Sequence, residues 1–129
     1  MDIYTIIKIG GVYNIAFLVF HALFWKLFKW DKELPKLSRI NKAIMQVLNL
    51  CLMFCFLVFG YISLFHTSEL TSSSLGRVLL LFIALFWLAR AIEQLIFFSR
   101  RRAASIAMFI LFLLGSCLYT YPLIRIWLA

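Results

Sequence analysis

Acidic side chains are nearly missing from this sequence: Asp and Glu together supply 5 of 129 residues. Charged residues of both signs make up 14% of the chain, against about 25% in soluble domains. Proline occurs twice and glycine five times, which excludes collagen-like and low-complexity Pro/Gly chains. The three cysteines, Cys51, Cys55 and Cys117, are an odd count inside apolar runs, so they imply no disulfide framework and say nothing of redox compartment. No Ser-His-Asp set, His-Glu-x-x-His helix, Gly-rich phosphate loop or Cys-x-x-Cys pair is found. An enzyme of the soluble type is therefore not expected, and no cofactor is implied.

What the chain does have is apolar surface. Hydrophobic residues account for 65% and aromatic residues for 18%, with a mean hydropathy of +1.01. A body this small has too much surface for its volume to hide that much from water. The excess must face lipid. A net charge of +8 would suggest nucleic acid in a polar chain, but here the basic residues stand between apolar runs. The expected partner is a bilayer, not nucleic acid.

A membrane-crossing helix needs about 20 apolar residues, and four stretches qualify: Ile6–Phe28, Ala43–Phe65, Val78–Phe98 and Ala104–Trp127. None shows a period of two. The first lacks a basic leader and a small-residue cleavage site, so it reads as a retained span. Ser38, after Pro35, is the expected N-cap of the second span, and Ser74 that of the third. Residues 66–77 read as a flexible polar loop. The expectation is an all-α, polytopic integral membrane protein: one domain over residues 1–129, a left-handed four-transmembrane-helix bundle with short loops.

Lys and Arg in short loops set orientation. Lys26, Lys29, Lys32, Lys36, Arg39 and Lys42 cluster in the first connection, and Arg100, Arg101 and Arg102 in the third. Only Lys8, Arg77 and Arg125 fall on the other side. The first and third loops are therefore expected in the cytoplasm and both termini outside, in a plasma membrane (the inner membrane of a bacterium). Tyr4, Tyr13, Tyr61, Tyr119 and Tyr121 then all fall in the outer half, consistent with interfacial aromatics. The basic inner surface should attract anionic lipid headgroups, at about 1 kcal/mol per residue.

Polar groups inside the spans carry the functional information. Arg90, Glu93 and Gln94 stand at i, i+3 and i+4, and a mid-membrane charge costs about 2.5–3.5 kcal/mol on insertion scales. Both charges are expected to face the bundle interior and to pair. Arg90 lies about 13 Å from the inner boundary counted from Ser99, and His21 and Asn49 each about 10 Å from theirs. These five residues, His21, Asn49, Arg90, Glu93 and Gln94, form the expected polar layer, with Asn14, Trp25, Gln46 and Trp87 as possible lining. On the first helix Gly10, Asn14, His21 and Trp25 share a stripe. The seams Lys42-Gln46-Asn49-Met53-Phe56-Gly60-Ser63 and Ser105-Met108-Phe112-Gly115-Tyr119 have the spacing of buried faces.

Such a layer has two readings. Hydrogen bonds between helices can simply hold the bundle, at about 0.6 kcal/mol each on average. Alternatively, an intramembrane ionisable pair marks a site that binds or moves an ion, a proton or a small molecule, in an oligomer because four short helices leave little internal room. The competing function is a non-catalytic accessory or assembly subunit bound to a partner membrane protein. A lipid-modifying enzyme using Glu93 and His21 as acid and base ranks third. Cys51 and Cys55 bracket Met53, but Cys51 lies about 200° around the helix from Asn49 (3.6 residues per turn), so helix packing is preferred to a metal site. His21 and His66 belong to opposite ends, which argues against a haem between them.

Overall fold

A computed structural model describes residues 1–129, all of them in helices or short connections. Four helices are long and apolar enough to cross a membrane. Helix α1 (Ile3–Ala22) begins at Asp2, whose carboxylate accepts from the Thr5 N–H at 2.7 Å. That hydrogen bond holds the Asp2 carboxyl below its usual range. After α1 come two single-turn helices, α2 (Phe24–Leu27) and α3 (Trp30–Glu33), and a 3₁₀ turn over Leu34–Lys36. The second long helix is α4 (Arg39–Phe65), capped by Ser38 as the sequence suggests, its Oγ accepting from the Asn41 N–H. A short helix, α5 (Thr67–Ser72), precedes α6 (Ser74–Phe97), and α7 (Ala103–Leu128) closes the chain.

Two boundaries differ from the expectation. The first span does not run on to Phe28: its helix breaks at Leu23 (φ −89°, ψ 2°), where the His21 carbonyl accepts from the Asn49 side chain. Hydropathy continues through Leu23, Phe24 and Trp25, so composition alone cannot mark the break. The segment 66–77 is not a loop but mostly helix. The hydroxyls of Thr67, Thr71, Ser72 and Ser73 bond back to carbonyls three or four residues earlier, a local satisfaction open to Ser and Thr. Leu70 is driven into the core, and the cap of α6 is Ser73, which accepts from the Gly76 N–H, in place of Ser74.

Around the bundle the order is α4, α1, α7, α6, each packed on the next, and α4 meets α6 through rings: Phe56 on Trp87 and Phe59 on Phe86. Close approach depends on glycine. A Cβ on Gly115 would lie 2.4 Å from the Tyr13 hydroxyl, and one on Gly10 would lie 2.8 Å from the Tyr119 ring. Helices α1 and α7 thus exchange tyrosines into each other's glycine notches. At Gly76 the neighbour is α5 backbone, with Glu69 O at 2.2 Å from an added Cβ. The outward faces remain apolar, with Leu50, Phe54, Phe82 and Ile110 exposed. A helix apolar all round is the mark of a lipid environment.

Candidate functional site

In the half of the bundle that holds the α1–α4 and α6–α7 turns (called the inner half, the opposite one the outer half), polar residues derive from four helices, and the structure sorts them into two clusters. Antiparallel packing of α1 on α4 brings His21 to Asn49. The Asn49 Oδ1, an acceptor only, lies 2.9 Å from His21 Nδ1, so that ring nitrogen donates. Asn49 Nδ2 donates in turn to the His21 carbonyl at 3.1 Å. This reciprocal pair leaves His21 Nε2 with no part in it. The ring is tilted against those of Phe24 and Phe56, with centres 4.2 Å and 5.0 Å away. His21 therefore sits in the last turn of α1, not well inside a longer span.

The second cluster joins α6 to α7. An Arg90 Nη donates to Gln94 Oε1 at 3.1 Å, and Gln94 Nε2 donates to Ser105 Oγ at 3.0 Å. The guanidinium lies over the Phe112 ring, 4.4 Å from its centre, a cation–π contact that offsets part of the cost of leaving water. Glu93 does not face the interior. Its side chain is 54% exposed and its carboxylate reaches only to 4.0 Å from Arg90, itself 30% exposed. Residues at i+3 and i+4 from Arg90 are 100° apart on the helix, and the bundle takes the Gln94 side. Gly76, Leu80, Ala84, Trp87, Ala91 and Gln94 form the buried seam of α6, and Glu93 falls off it.

The possible lining residues scatter. Gln46 is half-buried, Trp25 is exposed, and Trp87 and Asn14 are completely enclosed. No hydrogen bond joins the His21–Asn49 pair to the Arg90 cluster, so the five-residue layer is two flanking groups and not one ring. Between them stands a plug of rings. Trp87 meets Tyr13 and Phe17 of α1 (both 4.8 Å), Phe56 of α4 (5.4 Å) and Phe112 of α7 (6.0 Å).

Sequence reasoning did not assemble a third group, in the outer half. Tyr119 of α7 accepts from Asn14 of α1 at 2.8 Å and shares a 2.7 Å hydrogen bond with Ser63 of α4, all three buried. Nearby, Tyr13 donates to the Leu111 carbonyl and Ser116 to that of Ala84. Asn14, Ser63 and Tyr119 each lay on a face that the spacing revealed, and what was missing was their common depth; Tyr13 and Ser116 lay on none of those faces. Two of the hollows at the surface lie near these residues or at the ends of their helices. One of about 300 Å³ at the outer end is lined by Ile62, His66, Glu69, Leu70 and Leu79. A smaller one of about 90 Å³ lies where α6 turns into α7. The candidate cysteines are apart from both: Cys51 and Cys117 are exposed on outward faces and Cys55 is half-buried. Comparisons with protein-family models, with curated proteins and with solved structures return no match.

Proposed function

We propose that the chain is a four-span membrane protein of one domain, both termini on the non-cytoplasmic side, that acts as a non-catalytic assembly module: it binds another membrane-embedded chain, its own copy or a partner, through the α6 flank. The observation that carries this reading is the outward position of Glu93. A carboxylate inside the apolar stretch of α6, half exposed and poorly paired with Arg90, is expensive against hydrocarbon. A donor on a neighbouring chain removes that cost and selects the neighbour. Arg90 holds the local charge balance, and Gln94 and Ser105 hold Arg90. Orientation follows from the nine Lys and Arg of the first and third turns.

A second reading shares the same residues. Ion, proton or small-molecule transport is favoured by the three ionisable groups His21, Arg90 and Glu93 in the inner half. Because rings fill the bundle axis at Trp87, its pathway would run between protomers, along the Glu93 flank. Native mass spectrometry of the purified protein and of Glu93→Gln tests the assembly reading. The expected result is a multimer or hetero-complex that dissociates in the variant while the protein stays folded. A wild type that is monomeric and free of partners contradicts it.

A further inference from the structure

The hollow between α6 and α7 has a chemical gradient that neither assembly nor transport requires. Its lipid-side wall is apolar: Leu95, Ile106 and Phe109. Its inner side is polar, formed by Gln94, which is 4% exposed, and by Ser105. Ser105 Oγ accepts from Gln94 Nε2 and keeps its own hydrogen to donate, since a hydroxyl both gives and receives. At the rim Ser99 Oγ accepts from the Arg101 N–H and likewise keeps a hydrogen. Arg100 is tied down by its Nε, which donates to the Leu95 carbonyl at 3.2 Å. Its terminal nitrogens remain available, and no ion pair engages Arg100, Arg101 or Arg102. The hollow has a volume of about 90 Å³.

We infer that this hollow binds the phosphodiester of an anionic phospholipid, with Arg100 and Ser99 on the phosphate, Ser105 on an ester oxygen below it, and an acyl chain against Leu95, Ile106 and Phe109. Arginine is suited to the task because its fork matches phosphate oxygens. The apolar wall selects a lipid over free phosphate. The inference rests on the membrane reading above but not on assembly through Glu93, so a monomeric protein leaves it intact.

The test is native mass spectrometry of the full chain in detergent micelles, titrated with phosphatidylglycerol, with phosphatidylcholine and with inorganic phosphate. One equivalent of phosphatidylglycerol should bind in preference to phosphatidylcholine. Arg100→Gln should weaken it about fivefold, the equivalent of about 1 kcal/mol per basic residue, and Ser105→Ala should weaken it measurably. Lys32→Gln, in the other basic segment and exposed, should leave it unchanged. Equal losses in Arg100→Gln and Lys32→Gln would mean diffuse surface charge and overturn the site. So would displacement of the lipid by inorganic phosphate, or an unchanged affinity in Ser105→Ala at unchanged thermal stability.

Discussion

The two halves of the bundle treat polar side chains differently. In the outer half Asn14, Ser63, Ser116 and Tyr119 are all buried and bonded to one another or to backbone across three helix interfaces. None of them is ionisable at neutral pH. In the inner half the ionisable residues sit at the margins: His21 at the end of α1, Arg90 partly and Glu93 largely open on the α6 flank. Neutral groups locked inside hold helices in register, and ionisable groups left open are available to something else. The aromatic plug at Trp87 separates the two.

Removal of the plug should have the largest effect on this contrast. Trp87 is 1% exposed and touches rings from three other helices. Trp87→Ala should lower stability by about 3–5 kcal/mol, the range for deleting a large buried ring, read by denaturant unfolding in micelles. Next comes the outer network. Tyr119→Phe removes only an oxygen, yet leaves Asn14 and Ser63 each short of a partner in a buried site, at about 1–3 kcal/mol. The same measurement applied to Glu93→Gln should show less than about 0.5 kcal/mol, as for surface changes away from packed features. An equal loss at Tyr119 and Glu93 would erase the distinction between halves.

Much of this arrangement could be read from spacing. The seams of α4 and α7 face inward as their 4-3 pattern implies, with Asn49, Phe56, Gly60 and Ser63 on one and Phe112, Gly115 and Tyr119 on the other. The same pattern carried along α6 through Leu80, Ala84, Trp87 and Ala91 leads to Gln94 and leaves Glu93 outside. A criterion of shared face within one turn is too coarse, because it covers 100° of the helix. The break at Leu23 and the α5 helix were illegible for a different reason. Both depend on tertiary partners, the Asn49 amide in one case and the pocket for Leu70 in the other.

Two smaller effects sharpen the picture at the ends of the bundle. Lys29 has a left-handed backbone (φ 53°), a conformation that costs a side chain about 1 kcal/mol relative to glycine. Lys29→Gly should therefore stabilise the inner turn by about that amount, visible as a raised unfolding midpoint. At the outer end, Asp2 has a lowered folded-state pKa because it accepts from Thr5. Its contribution is complete above the unfolded value of 3.8 and fades as pH falls through the folded one. The protection of the Thr5 amide, relative to a free amide at the same pH, should fall over that acid range in the wild type and be already low in Asp2→Ala, with no change in the inner half.

On this reading, outer polar groups hold the fold and the open inner carboxylate selects a neighbour. Thermal midpoint and native mass measured together on Tyr119→Phe and Glu93→Gln test it most directly. A lowered midpoint with assembly retained is expected in Tyr119→Phe; Glu93→Gln is expected to lose assembly while keeping the midpoint of the wild type at a dilution where that, too, is dissociated. The reverse pattern, a destabilised Glu93→Gln that still assembles beside an unaffected Tyr119→Phe, would contradict it.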